Sequence, residues 1–183
     1  AMSGDEQTPW SPQFSEAVQR ALARWPNVPA CHGWLALDRR GRWRIQGGLI
    51  THPGATNFLD AHYACDEAGC WYVQNGPQRA YVDLELAPWI VTLDGAGELR
   101  TQHGDPVPAP ATLHVTEHGD MLFETTRGLA AVSDRDVEAF AARYVGAGGS
   151  PALEELAALG AGDTTLLHTA DGVACRAVGV LAE

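Results

Sequence analysis

Gly69-Cys70-Trp71-Tyr72-Val73-Gln74-Asn75-Gly76-Pro77-Gln78-Arg79-Ala80-Tyr81-Val82-Asp83-Leu84-Glu85-Leu86 is the stretch on which the fold turns. Trp71, Tyr72 and Val73 favour an extended, half-buried backbone. They run into Asn75-Gly76, a dipeptide that tolerates the positive φ of a tight hairpin. On the return, Val82, Leu84 and Leu86 alternate with Tyr81, Asp83 and Glu85, so one side of the strand is apolar and the other polar. That alternation is the mark of an antiparallel sheet with one wet face.

Working outward, the same pattern continues. Residues 89–93, 99–102, 112–117 and 121–126 read as further strands of a meander. The segment Asp105-Pro106-Val107-Pro108-Ala109-Pro110 is too proline-rich to pair centrally. Upstream, residues 33–37 and 42–46 form a strand pair around Asp38-Arg39-Arg40-Gly41. An Asp-x-x-Gly-x pattern followed by a large apolar residue occurs at Asp38/Gly41/Trp43, Asp66/Gly69/Trp71 and Asp94/Gly97/Leu99. It reads as hairpin punctuation, the carboxylate opening the turn and Gly supplying positive φ, because it lacks the repeated carboxylates of a calcium loop. Helical spacing predicts helices over residues 11–25, 51–63 and 133–145, and a fourth after Ser150-Pro151. A hairpin closes the chain over residues 164–181.

The expected architecture is therefore α+β, a β-rich antiparallel meander or roll with three or four short helices in two small, closely packed lobes. The expected divisions are a disordered tail over residues 1–10, an N-terminal α+β lobe over 11–66, a meander lobe with its helix over 67–145, and a helix–hairpin extension over 146–183.

Composition narrows the functional classes. The 183 residues carry 23 acidic and 12 basic side chains, a net charge of −11. All the basic residues are Arg, which removes Schiff-base chemistry through Lys and the phosphate-loop Lys. A strongly acidic chain lacks the basic footprint that nucleic acid or an anionic membrane requires. No run approaches the roughly 20 apolar residues of a membrane span. Met2-Ser3-Gly4-Asp5-Glu6 is unlike the basic start of a signal peptide, so a cytoplasmic protein with thiols at Cys31, Cys65, Cys70 and Cys175 is expected.

Two long runs carry a resemblance. Trp25-Pro26-Asn27-Val28-Pro29-Ala30-Cys31-His32-Gly33-Trp34-Leu35-Ala36-Leu37-Asp38-Arg39-Arg40-Gly41 is one, and Gly69 through Glu85 continuing Leu86-Ala87-Pro88-Trp89 is the other. They resemble a proteobacterial family of uncharacterised proteins, a domain of unknown function, over about residues 25–145. A second such family has a similar layout, which implies two small β-rich lobes, one roll-like and one α+β. The resemblance implies no activity, substrate or catalytic residue.

Three groups of residues could carry chemistry. His62, Cys65 and Cys70 place three soft donors within nine residues, with Cys31-His32 as a further source, so zinc is the alternative to having no cofactor at all. Against zinc, paired Cys-x-x-Cys knuckles are absent, and lone cysteines are usually small core hydrophobes. Cys31-His32 could form a nucleophile and base, but neighbours on a strand face opposite ways. Arg79, Tyr81, Asp83 and Glu85 share one strand face, the two carboxylates about 7 Å apart. That suits acid–base work or a ligand, though a solvated face with an Arg–carboxylate pair is the plainer reading. Six tryptophans are many for this length; core packing is the default for each, and one or two left exposed would mark a binding surface.

The function these features favour is a non-enzymatic cytoplasmic module that binds a small ligand or protein partner, as monomer or homodimer. The alternative is a hydrolase or metal-dependent enzyme using Arg79, Asp83 and Glu85 or the His62/Cys65/Cys70 group.

Overall fold

A computed structural model describes residues 10–181. Apart from Trp10, the expected tail lies outside the described residues. The architecture is α+β and β-rich, with two sheets and four short α-helices. The chain divides into two compact units, one comprising residues up to Asp38 together with 42–85, the other 39–41 together with 86 onward.

In the first unit, α1 (Glu16–Arg24) precedes β1 (Cys31–Leu37), β2 (Trp43–Ile45), β3 (Gly48–Leu49), α2 (Pro53–Ala61), β4 (Tyr63–Cys65), β5 (Trp71–Asn75) and β6 (Gln78–Leu84). The helices are shorter than the apolar spacing predicted. α1 begins after Ser15, whose Oγ accepts from the Val18 amide, and not at Ser11. α2 begins at Pro53, with His52 Nδ1 accepting from the Ala55 amide. The sheet order is β3-β2-β1-β6-β5-β4. The hairpin signal is real but sits one residue on: Asn75 pairs with Gln78, so Gly76-Pro77 are the central pair. Gly76 at φ 55° supplies the positive first position, and proline's fixed φ suits the second.

Two expectations are corrected here. The first sheet is mixed, because β1 runs parallel to β6. The boundary between units falls after Glu85 and not after Asp66, because β5 and β6 hydrogen-bond into the same sheet as β1 and β4. Period-two alternation reveals a strand and its buried side, but not which distant strand lies beside it.

In the second unit come β7 (Trp89–Leu93), β8 (Leu99–Thr101), β9 (Thr112–Thr116), β10 (Met121–Thr125), β11 (Gly128–Val132), α3 (Val137–Ala141), α4 (Ala152–Ala157), β12 (Thr164–His168) and β13 (Ala174–Val180). Their order is β12-β13-β9-β10-β11-β7-β8. This sheet is also mixed, with β7 parallel to β11 and β9 parallel to β13. The closing hairpin is therefore an edge of this sheet and not a separate extension.

The Asp-x-x-Gly turns do what their chemistry implies. Asp94 Oδ1 accepts from the Ala96 and Glu98 amides, and Asp66 Oδ1 from those of Ala68 and Cys70. Asp38 Oδ1 accepts from the Arg42 amide. The following Gly69 and Gly97 adopt φ of 84° and 76°, the left-handed position that lets strands rejoin after a type I turn. Thr101/Gly104, Thr116/Gly119 and Thr169/Gly172 repeat the device, with the Thr hydroxyl accepting from the backbone amide four residues on.

The first unit's core is aromatic. Tyr63 meets Trp43 edge-on at 5.1 Å and Trp71 at 4.7 Å, and the Trp43 Nε1–H donates to Asp60 at 2.7 Å. The second is centred on Trp89, Phe123, Phe140 and Leu167, all fully enclosed, while Ile90 packs with Ala87 and Ala131 on the opposite face of the sheet. Trp89 donates its indole N–H to the Arg127 carbonyl at 2.9 Å. Cys175 is buried there, and burial pushes its thiol up to about 11. At neutral pH that thiol has no appreciable thiolate to react.

Gly179 on β13 is a site of close approach: a Cβ there would collide with the Gly160 carbonyl oxygen. The Gly179 carbonyl also accepts from the Gly162 amide at 2.7 Å, holding the loop against the strand. Gly179→Ala is expected to cost about 2 kcal/mol, lowering the melting temperature by roughly 4–8 °C in a calorimetric scan. In the same native protein, iodoacetamide at mildly alkaline pH is expected to label the exposed Cys70 well before Cys175, as peptide mapping would show.

Candidate functional site

The strand face singled out from sequence is only half assembled into a site. Tyr81 and Arg79 enter a cluster, whereas Asp83 stands exposed on the same strand and Glu85 stands exposed just past its end. Tyr72 lies directly across from Tyr81 in the β5–β6 ladder, their rings 5.8 Å apart. The Arg79 guanidinium sits 4.3 Å from the Tyr72 ring centre, a cation–π arrangement. Tyr81 donates its hydroxyl to Asp66 Oδ2 at 2.8 Å. Asp66, read from sequence as a turn residue, thus anchors the face while its other oxygen caps the turn.

His32 completes the cluster. Its ring lies parallel to that of Tyr81, with centroids 4.8 Å apart and planes within 3°. The backbone explains how. Cys31 pairs with Ala80 and Leu35 with Val82, so β1 spends four residue steps where β6 spends two. Gly33, at φ 77°, absorbs the excess as a bulge. Beyond the bulge, Ala36 lies beside Asp83, which puts Trp34 on the same face as Tyr81 and Asp83. Trp34 is 55% exposed. Trp25, just before β1, is 50% exposed. Trp43, Trp71 and Trp89 are buried, as the packing default expects, so Trp34 and Trp25 are the ones it misses. The signal available for Trp34 and His32 was Gly33, a lone glycine inside a strand pattern.

Electrostatics follow from the same contacts. Burial alone would raise the Asp66 carboxyl. The Cys70 amide, the Tyr81 hydroxyl, the Ala68 amide and the nearby Arg79 outweigh it and hold the group below the ordinary carboxylate value. Burial pushes the Tyr72 phenol up, against the pull of Arg79.

His62, Cys65 and Cys70 do not converge. The His62 ring is spent on structure. Its Nδ1 meets the Phe58 carbonyl at 2.9 Å and must be the donor, which leaves Nε2 to accept from the Ser15 hydroxyl at 3.2 Å. Cys65 donates weakly to the Asp66 carbonyl, and burial, Asp66 and Cys70 all push its thiol up, away from the thiolate a metal would need. Cys70 is exposed at a turn. Among the described residues, no group of three or more His, Cys, Asp or Glu side chains is arranged to hold a metal ion. Cys31 is half-buried and His32 is engaged with Tyr81, so the adjacent pair is not a nucleophile with its base.

Two open grooves lie elsewhere, within the second unit. One of about 400 Å³ is lined by Leu99, Pro106, Val107 and Pro108 with Glu98 and Arg143. The other, about 580 Å³, includes Glu155. That carboxylate accepts from Thr165 at 2.6 Å and Ser150 at 2.7 Å, which hold it below its ordinary value; it is a structural tie between α4 and β12.

Against known proteins, the DUF2944 family model, described as "Protein of unknown function (DUF2946)", matches residues 14–179. A comparison with curated proteins finds no match. Among solved structures, a DUF1285 family protein from Shewanella baltica OS155 aligns at 14% identity and TM-score 0.43, over 56% of this chain and 86% of that one. A DUF1285 family protein from Silicibacter pomeroyi DSS-3 aligns at 16% identity and TM-score 0.30, over 85% of this chain and 69% of that one. Similarity at this level assigns no activity. No helix among the described residues is long and apolar enough to cross a membrane.

A carboxyl held below its unfolded value stabilises the fold above the unfolded pKa and loses that contribution as pH falls through the folded one. Asp66→Asn is therefore expected to be less stable than the parent near neutral pH by about 1 kcal/mol. The difference should shrink as the pH is lowered through the acid range below about 4. Urea melts of both proteins across that range check it.

Proposed function

The chain belongs to the DUF2944 family of proteins of unknown function, and from the geometry of its first sheet we propose that it is a non-enzymatic module binding a small ligand or protein partner on the His32–Trp34–Tyr81 face. One observation carries this reading. An exposed indole shares a strand face with a parallel imidazole–phenol stack, and Asp66 accepts the hydroxyl hydrogen of that stack's phenol. Rigid aromatic side chains offer large contact area at little entropic cost, which is why they dominate binding hot spots. Arg79 and Tyr81 belong to the framework of the face, and Asp83 and Glu85 form its polar rim. Free thiols at Cys31, Cys65, Cys70 and Cys175 support a reducing, cytoplasmic setting.

Acid–base chemistry on this strand would need the carboxylates to converge on a substrate within a pocket. Asp83 is exposed on β6 and Glu85 just past its end instead.

Nitrogen-15 NMR with a panel of fused-ring aromatic fragments tests the reading. The largest shifts are expected at the amides of His32, Gly33 and Tyr81 and at the Trp34 indole. Shifts confined to the groove beside Pro106 and Arg143, or hydrolytic activity abolished by Asp83→Asn, would replace it.

A further inference from the structure

We infer that this face takes a basic peptide segment, with an arginine or lysine side chain lying between the exposed indole of Trp34 and the carboxylate of Asp83. The inference rests on the binding-face reading above and deepens it. The juxtaposition comes from register. Ala36 pairs with Asp83 in the parallel β1–β6 ladder, Trp34 precedes Ala36 by two residues, and Tyr81 precedes Asp83 by two. An indole and a carboxylate at diagonal positions of one strand face are two groups that attract a cation, one through its quadrupole and the other through charge.

Two cations on this face already have partners. Arg44, paired with Ala36, gives its Nε–H to Asp38 at 3.1 Å and its Nη1–H to the Gly47 carbonyl at 3.1 Å. Arg79 lies against Tyr72. Asp83 has no such partner among the described residues, and it stands exposed. A carboxylate and an open indole at neighbouring register positions, with Arg44 held by Asp38 and Gly47 and Arg79 by Tyr72 and Tyr81, are complementary to a cation supplied from outside. The charge of the whole chain acts in the same direction. At −11 and without a lysine, it draws basic partners and repels phosphate-bearing ones.

The test uses the full chain, nitrogen-15 labelled, and an end-blocked tri-arginine peptide, with end-blocked tri-glutamate as the control. Tri-arginine is expected to shift the Trp34 indole and the Asp83 amide saturably, and added salt should weaken the effect. Trp34→Ala and Asp83→Asn should each weaken binding by about five-fold or more. Both side chains are exposed, so unchanged melting curves will show that the variants still fold. Equal shifts with tri-glutamate, or undiminished tri-arginine binding by Asp83→Asn, overturn the inference. If an uncharged aromatic fragment moves the Trp34 indole and tri-arginine does not, the basic partner is wrong while the binding face stands. If neither moves it, both fail.

Discussion

The parallel pairing of β1 with β6 is the constraint on which the first unit depends. It joins Leu35, Ala36 and Leu37 to Val82, Asp83 and Leu84, and so makes one six-stranded sheet from segments more than forty residues apart. Without it, β1–β3 and β4–β6 would be two separate three-stranded ribbons. With it, the aromatic cluster of Trp43, Tyr63 and Trp71 has a continuous apolar face to pack on. The second unit uses the same solution, with β7 against β11 and β9 against β13. Parallel neighbours cannot be joined by a tight turn, so the chain must make other elements on the way from one to the next.

Those intervening elements are kept short by a repeated turn. A side-chain oxygen from Asp or Thr accepts from the amides that the turn leaves unpaired, and glycine takes the left-handed step that returns the backbone to the ladder. The carboxylates involved are saturated by amides and by Arg, Tyr or both. Asp94 caps its turn and pairs with Arg100 at 2.8 Å. Asp66 caps its turn and orients Tyr81. A turn residue and an anchor of the aromatic face are thus the same side chain, which links hairpin formation to the geometry of that face.

Which residue stacks on Tyr81 results from a departure from regularity. In an unbroken strand His32 and Trp34 would both lie on the side away from Leu35, with Trp34 beside Tyr81 and His32 beside Arg79. The bulge at Gly33 spends two extra residues, stacks His32 on Tyr81 and still leaves Trp34 exposed. Bulges commonly re-aim side chains in this way, and the rest of the sheet holds this one in place. His62, Cys65 and Cys70, the soft donors behind the zinc alternative, are not brought together among the described residues. His62 is the C-terminal cap of α2, and its two ring nitrogens meet the Phe58 carbonyl of that helix and the hydroxyl of Ser15, the N-cap of α1.

Much of this protein was legible in its residues, because the information was local. Alternation identified β5 and β6 and their buried side, Asp-x-x-Gly identified the turns, and apolar spacing placed four helices within a few residues. Net charge and the absence of lysine set limits on partners without any coordinates. What only the tertiary structure decided was non-local: that strands run parallel across long gaps, that the unit boundary follows β6, and that His32, Trp34 and Tyr81 share one surface while His62, Cys65 and Cys70 do not. Turn chemistry and periodicity act over a few residues. The choice of neighbouring strand depends on which distant apolar faces bury each other, and no short stretch of sequence contains that information.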